Sequence, residues 1–300
     1  MRYFAPFEQT LRPNLMQSID RRTAAGENVD TQVAAGFGDE WSRFDQTALS
    51  REEKERIFAD YFHVFPMEAL RPDAVGADFG CGTGRWAAFV APRVRQFYCV
   101  DASGEALNVA RRTLADSPNC TFIEASVGNV PMADGTLDFG YSLGVLHHIP
   151  DTAAGLASCV AKLKPGAPFL VYLYYRFDNR PLWFRLIWRC SDVIRRAVSR
   201  LPNSLRFAAS QVLALTVYWP LARAARLVTK LGGDASRLPL SYYGDKPLYV
   251  MRNDALDRFG TRLEQRFTRP EIADMMQRAG LERIVFSDRM PFWCAVGYKR

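Results

Sequence analysis

The sequence predicts an α/β fold: a doubly wound, seven-stranded, mostly parallel sheet with an antiparallel last strand, an N-terminal helical cap and a helical insertion after strand 5. Between residues 73 and 175, apolar β-rich runs alternate with helical stretches, which is the pattern of βαβ units. A further helix and two short strands follow residue 266, and the stretch 176–266 is far too long for an ordinary connection. That stretch is therefore predicted to be an inserted subdomain.

The individual elements follow from these runs. Strands are predicted at Val75–Phe79, 97–100, 121–124, 137–142, 169–174, 283–286 and 293–298. Helices are predicted at 85–91, 104–115 and 152–163. Ser50 and Thr268, each with Glu three positions later, have the spacing of a capping box and predict helices that run to about residue 70 and to Gly280. Asp151 is predicted to cap the helix at 152–163.

These elements divide the chain into three parts. The N-terminal helical cap covers residues 1–70, the core covers 71–175 together with 267–300, and the insertion, or substrate lid, covers 176–266. With 300 residues, 48% of them hydrophobic, the chain is long enough to bury a substantial core.

The spacing of the cysteines indicates whether a metal site is expected, and the first ten residues indicate the expected cellular location. The six cysteines include no CxxC pair and no Cys/His cluster, so we expect reduced, buried thiols and no metal site. The first ten residues lack a basic region followed by an apolar one, which predicts a cytoplasmic protein.

Positive charge is concentrated in one stretch. The net charge of the chain is +7, and residues 176–232 hold eleven Lys/Arg against two Asp, a local net charge of +9. Such a surface suits nucleic acid, an anionic membrane or a phosphorylated substrate, and charge alone does not choose among them.

A glycine-rich turn follows the first predicted strand. Asp78 ends the strand and Gly80, Gly82 and Gly84 come directly after it, so backbone can approach a ligand closely at the carboxyl edge of the sheet. A dinucleotide fingerprint would place its third glycine where this chain has Arg85, which argues against NAD or FAD. A purely structural glycine-rich turn is the alternative.

Three segments together carry a resemblance to a known family. They are Asp78-Phe79-Gly80-Cys81-Gly82-Thr83-Gly84, Val100-Asp101-Ala102-Ser103 and Leu143-Gly144-Val145-Leu146-His147-His148-Ile149-Pro150-Asp151. The chain resembles the class I (Rossmann-like) S-adenosylmethionine-dependent methyltransferases of the small-molecule, type 11-like kind. The resemblance covers about residues 75–174, more weakly 268–300, and implies S-adenosylmethionine as the cofactor.

The resemblance also implies roles for particular residues. The glycine loop would wrap the methionine part of the cofactor, Asp101 would bind the ribose hydroxyls, and Phe37 and Trp41 would close over the site. The implied cofactor-binding residues are Asp78, Gly80, Cys81, Gly82, Gly84, Asp101, Ala102, Ser126, Val127, Leu143, Phe37 and Trp41. Helix capping by Asp101 and core packing of the two aromatic residues are the alternatives.

One position departs from the family pattern. The family commonly has an acidic residue four positions before a Leu-Pro pair, where it accepts from the adenine amino group. Val130 and Pro131 align with that pair, which places Ser126 at the acidic position. A hydroxyl can accept the same hydrogen bond, although without a charge.

Candidate residues for the chemistry follow the fourth and fifth strands and the insertion. His147 and His148 are the candidate catalytic bases, because histidine takes up a proton near neutral pH; a structural role is the alternative. The candidate substrate-binding residues are Tyr175, Asp178, Tyr242, Tyr243, Arg252 and Asp254. A salt-bridged turn over 251–260 would explain the charged members of this set equally well.

The insertion alternates apolar and basic residues at helical spacing. Its longest apolar run, 207–222, is interrupted by polar residues and Pro220, so no transmembrane span is expected. We expect either a lid whose basic amphipathic segment 176–232 contacts the inner face of an anionic membrane, or an ordinary lid with solvated arginines.

The sequence therefore predicts a methyltransferase that acts by in-line transfer, with O-methylation of a glycan, nucleotide-sugar, lipid-linked or secondary-metabolite acceptor as the first hypothesis. A nucleic-acid methyltransferase is the alternative, although residues 142–145 lack the Asn/Asp-Pro-Pro-aromatic signature and we expect no nucleic-acid partner. The second alternative is a peripheral membrane protein that binds the cofactor without catalysing a reaction.

Overall fold

The computed structural model describes residues 28–235 and 238–300, so the first 27 residues of the predicted cap lie outside the described part. Seven strands form one sheet in the order β3-β2-β1-β4-β5-β7-β6. They are β1 (Val75–Phe79), β2 (Gln96–Asp101), β3 (Cys120–Glu124), β4 (Phe139–Leu143), β5 (Pro168–Tyr172), β6 (Leu281–Phe286) and β7 (Cys294–Lys299). Only β7 runs antiparallel to its two neighbours, β5 and β6. The predicted fold class is confirmed.

The helices pack on both faces of this sheet and in the insertion. They are α1 (Thr31–Arg43), α2 (Arg51–Phe62), α3 (Ala87–Val90), α4 (Gly104–Thr113), α5 (Thr152–Ala161), α6 (Leu182–Val198), α7 (Asn203–Leu213), α8 (Trp219–Lys230), α9 (Leu248–Gly260) and α10 (Arg269–Arg278). One face of the sheet buries Phe79 and Phe169 under α5 and α10. The opposite face buries Phe97 and Tyr141 under α2, α3 and α4. A sheet covered on both faces is what the near-continuous apolar strands require.

The caps predicted at the starts of three helices are confirmed. Ser50 and Thr268 both form complete capping boxes, and the Asp151 carboxylate accepts from the Ala154 amide at 2.9 Å. These caps satisfy amide groups that have no partner within the helix.

Other predicted boundaries were wrong by one to about eight residues, and proline explains two of them. Helix α2 ends at Phe62 rather than near residue 70, because Pro66 disfavours helical backbone at the residue before it. Helix α3 is short and gives way to a 3₁₀ turn, Ala91–Arg93, that contains Pro92. Strand β5 ends at Tyr172, two residues earlier than predicted.

The stretch between β5 and α10 forms helices α6 to α9, with a π-helical turn, Ala214–Tyr218, between α7 and α8. These helices share a small core of their own, which includes Tyr218, Met251 and Phe259. Within the described residues, no helix is both long and apolar enough to cross a membrane.

A buried ion cluster fastens the end of this insertion to the core. The Glu264 side chain is 1% exposed, and its Oε1 lies 2.5 Å from Arg258 of α9 and 2.7 Å from Arg266. The next residue, Phe267, donates its amide to the carbonyl oxygen of Tyr174 after β5. Burial opposes ionisation of Glu264, but the two guanidinium groups outweigh it and lower the pKa of this carboxyl to about 2.

We expect Glu264→Gln to reduce the free energy of unfolding by about 3–5 kcal/mol at pH 7, because two largely buried guanidinium groups lose their nearest carboxylate. Urea unfolding monitored by circular dichroism measures this loss. A carboxyl with a depressed folded pKa stabilises the fold above its unfolded pKa of 4.5. The advantage of wild type over the variant should therefore shrink as pH falls from 4.5 toward about 2. Glu282→Gln, on the exposed face of β6, is the matched control and should change stability by less than about 0.5 kcal/mol.

Candidate functional site

The turn after β1 is held against the end of β2 by backbone hydrogen bonds. The amides of Gly80 and Cys81 both donate to the Val100 carbonyl oxygen, at 2.7 and 3.0 Å. Gly80 has φ +86°, and a Cβ there would lie 2.3 Å from the Val145 side chain, so a side chain fits neither the backbone nor the space. The turn therefore presents bare backbone to the cavity beyond it.

Asp101, the last residue of β2, is oriented by the same turn. Its Oδ2 accepts from the Gly82 amide at 2.8 Å and its Oδ1 from the Ser103 amide at 2.9 Å. Burial raises the pKa of this carboxyl, whereas the backbone hydrogen bonds oppose that rise. The cap of α4 is Ser103 rather than Asp101, which leaves the carboxylate at the cavity wall. A carboxylate fixed in this way suits two neighbouring hydroxyls.

A cavity of about 490 Å³ opens at this edge of the sheet. Of the predicted cofactor-binding residues, those lining it are Gly80, Cys81, Gly82, Asp101, Ala102, Ser126, Val127, Leu143, Phe37 and Trp41. Asp78 and Gly84 lie behind this wall. Asp78 is fully buried, and burial raises its pKa well above the usual range. Gly84 packs against Ala110 and Leu114 of the α4 region.

Ser126 and Trp41 supply two further features of a cofactor site. The Ser126 hydroxyl is buried at the cavity wall with no hydrogen-bond partner among the described residues. Trp41 stands over the glycine turn, since a Cβ on Gly82 would lie 3.1 Å from its Nε1. Phe37 stacks on Trp41 with ring centroids 6.5 Å apart. A bare backbone cradle, an anchored carboxylate and an unpaired hydroxyl fit the methionine, ribose and adenine parts of S-adenosylmethionine, respectively.

The same cavity continues between the core and the insertion. Of the predicted substrate-binding residues, Tyr175, Tyr242, Tyr243 and Asp254 line it. The Tyr243 hydroxyl donates to Asp254 Oδ2 at 2.8 Å. Burial raises the pKa of Asp254 to about 6, even though this hydrogen bond lowers it. This part of the cavity thus combines phenol hydroxyls with a carboxylate that titrates near neutrality.

The other two predicted substrate residues lie away from the cavity and hold the structure together. Asp178 accepts from the Arg269 amide at 3.0 Å and from Trp293 Nε1 at 3.1 Å, which fastens the start of the insertion to the core. The Arg252 guanidinium donates to Gln211 between α9 and α7.

The two neighbouring histidines have different environments. His148 lines the cavity; its Nδ1 lies 2.8 Å from the Leu263 carbonyl oxygen and its Nε2 lies 3.7 Å from Asp257 Oδ1. His147 lies outside the cavity wall, fully buried, with its ring centroid 3.9 Å from that of Tyr174. Burial, followed by the charges of His148 and Arg266, lowers the pKa of His147 well below 6.5.

Sequence reasoning missed Asp257 and Glu40 as members of this region. Asp257 lines the cavity, accepts a short hydrogen bond from the Tyr174 hydroxyl, and has a pKa raised by burial. Glu40 of α1 is buried, accepts from Asn253 Nδ2 at 3.0 Å, and has a pKa raised well above its usual value by burial. Asp257 stands at helical spacing, three positions after Asp254, and that spacing was the available signal. Nothing local marks Glu40.

Comparison with known proteins agrees with this geometry. Residues 77–166 match the family model described as "Methyltransferase domain". The chain is 26% identical over 223 residues to an uncharacterized 37.1 kDa transposon protein of Streptomyces fradiae, covering 66% of this chain and 61% of that one. It is 27% identical over 150 residues to a malonyl-[acyl-carrier protein] O-methyltransferase of Serratia marcescens, covering 49% and 55%. The chain thus spans about 55–61% of the length of these two curated relatives.

Among solved structures, a SAM-dependent methyltransferase from Aquifex aeolicus superposes with a TM-score of 0.43 at 13% identity, covering 83% of this chain and 97% of that chain. That likeness is too low to bear on function. The family match, the strand order with one antiparallel strand, and the glycine turn joined to Asp101 agree with one another. We conclude that the chain contains a class I, Rossmann-like S-adenosylmethionine-dependent methyltransferase domain of the type 11-like kind.

Proposed function

We propose that the protein transfers a methyl group from S-adenosylmethionine to an oxygen atom of an acceptor bound between the core and the insertion. One observation carries the proposal: the cofactor wall around Asp101 and the acceptor wall around Tyr243 and Asp254 line one continuous cavity. The acceptor classes that we propose are a glycan, a nucleotide sugar, a lipid-linked intermediate and a secondary metabolite. Peripheral contact with the inner face of the membrane is a separate proposal, which the methyl transfer itself does not require.

The protein's main contribution is to hold two reactants in line. When bound, S-adenosylmethionine supplies the methyl group from its sulfonium. Asp101 would bind the ribose, Ser126 would accept from the adenine, and the backbone at Gly80 would hold the methionine part. Phe37 and Trp41 of α1 cover this end and exclude water. Positioning of this kind supplies much of the rate enhancement in a displacement at carbon.

An oxygen acceptor must also lose a proton, and we assign that step to His148. The Leu263 carbonyl can only accept, so Nδ1 of the neutral ring carries the hydrogen and Nε2 keeps a free electron pair. Nε2 takes the proton from the acceptor hydroxyl, and Asp257, 3.7 Å away, stabilises the resulting positive charge. His147 does not line the cavity, and burial lowers its pKa, which makes its ring a poor proton acceptor.

We expect Asp101→Ala to weaken S-adenosylmethionine binding about 100-fold, since two charge-assisted hydrogen bonds and the anchor of Gly82 are lost together. Isothermal titration with S-adenosylmethionine and S-adenosylhomocysteine measures this, with NAD as the control ligand. Asp116→Ala removes an exposed carboxylate from the loop between α4 and β3, away from the cavity wall, and should bind like wild type. Binding of NAD alone, or equal affinity in the two variants, would contradict the assignment.

We expect His148→Gln to lower turnover by about 10²–10⁴-fold while cofactor affinity is retained, because the variant lacks the base. Release of S-adenosylhomocysteine is followed with acceptors from the four proposed classes. His63→Gln changes a histidine outside the cavity wall and serves as the control. If both variants turn over like wild type, His148 is not the base.

We also expect His147 to stay neutral where an ordinary histidine titrates, because its buried site penalises the charged ring. Ring-nitrogen NMR between about pH 8 and 5.5 should show no titration of the His147 signal, which is assigned by its loss in His147→Gln. Titration of the His147 signal near pH 6.5 is the opposing result.

A further inference from the structure

Exposed apolar side chains are concentrated on the insertion. Among the described residues, sixteen large apolar side chains are exposed, and fifteen of them lie between residues 182 and 231. They are Leu182, Trp183, Leu186, Ile187, Val193, Ile194, Leu201, Leu205, Val212, Leu215, Val217, Trp219, Leu221, Leu227 and Leu231. We call this set the apolar face. The exception, Val285, stands alone on β6, as single surface apolar residues usually do.

Helix α6 buries charged side chains and exposes apolar ones, which is the reverse of the usual arrangement in a surface helix. Its inner side buries Asp192 and Arg195, which form an ion pair at 2.7 Å. Its outer side carries Leu182, Leu186 and Val193, exposed by 75%, 61% and 66% and spaced to share one stripe. A surface helix normally turns its charges to solvent and its leucines to the core. The outer side of α6 is therefore suited to an apolar environment.

Positive charges accompany this apolar face. Arg189 and Arg200 are exposed on α6 and directly after it, and Lys230 is exposed at the end of α8. The Arg196 side chain is 64% exposed and shares Asp192 with Arg195, so this group keeps a net positive charge. Apolar side chains next to arginine and lysine are the composition that binds anionic lipid surfaces. If a second copy of the chain bound this face instead, the positive charges of the two copies would lie next to each other and repel.

The cavity reaches the surface within the apolar face. Ile187 of α6, Val217 of the π-helical turn and Leu221 of α8 all line the cavity, and they are 51%, 39% and 43% exposed. The same side chains thus form both the cavity wall and part of the exposed surface. A ligand with an apolar chain could pass between α6 and α8 without leaving apolar surroundings.

We propose that the apolar face docks on an anionic lipid bilayer, and that the acceptor is a membrane-borne amphiphile that enters the cavity between α6 and α8. The entry of an amphiphilic acceptor rests on the proposed methyl transfer, whereas docking on the bilayer does not. Docking would place the cavity opening at the lipid headgroups, with the acceptor's polar group near the cofactor and its apolar chain along Ile187 and Leu221.

Docking is tested by co-sedimentation of the full chain with vesicles of about 30% phosphatidylglycerol in phosphatidylcholine, and with phosphatidylcholine alone. We expect at least about tenfold tighter binding to the anionic vesicles, decreasing with salt. Leu186→Glu combined with Val193→Glu should weaken that binding at least about tenfold, since both charges would enter the bilayer. Val285→Glu is the matched control and should bind within about twofold of wild type.

Three results would overturn docking: no binding to either vesicle, equal binding by the double variant, or a dimer in light scattering that the double variant dissociates. Titration with S-adenosylmethionine is run on the same samples, so that loss of docking with intact cofactor binding leaves the proposed function standing.

Binding of an amphiphile in the cavity is tested with dansyl-aminoundecanoic acid as the probe. We expect saturable binding with a blue-shifted emission, weakened at least about fivefold in Leu221→Glu and unchanged in Val285→Glu. Absence of saturable binding overturns the proposal that an amphiphile enters the cavity, and leaves docking on the bilayer untouched.

Discussion

The hydrogen bonds between the glycine turn and the end of β2 are the interactions on which the rest of the site depends. Parallel pairing brings the carboxyl ends of β1 and β2 to one edge, and the Val100 carbonyl and Asp101 carboxylate then bind three amides of the turn. This arrangement leaves bare backbone and an oriented carboxylate at the cavity wall. Without it, neither Trp41 nor Ser126 would face a site of the right shape.

A second set of contacts joins the insertion to the segment after β4. Gln265 donates its amide to the His147 carbonyl oxygen and its side chain to that of Ile149, while the Leu263 carbonyl accepts from the His148 ring. The buried Glu264 lies within the same short stretch. The two histidines therefore have different surroundings: His147 packs in the interior, and His148 is oriented toward the cavity by the chain that leaves the insertion.

The part of the cavity between the core and the insertion, where we propose that the acceptor binds, contains carboxyl and phenol groups that share hydrogen bonds. Asp254 with Tyr243, and Asp257 with Tyr174, are buried carboxyl–phenol pairs, and burial raises the pKa of both carboxyl groups. Carboxyl groups with pKa values raised by burial are typical of sites that exchange protons. The walls beyond them are apolar and lead toward the outer side of α6, which suits an acceptor with one polar end.

The sequence by itself determined the features that depend on near neighbours. Strand β1, the caps at Ser50, Asp151 and Thr268, and the glycine turn rest on hydrophobic period, proline, and side-chain-to-backbone hydrogen bonds within a few residues. Only the tertiary structure decided which histidine faces the cavity, that Glu40 meets Asn253, and that α6 turns its leucines outward. Glu40 and Asn253 are 213 residues apart, and no local pattern encodes such a contact. Helical spacing identified the two sides of α6 but could not say which side packs inward, because that depends on where the buried ion pairs find their partners.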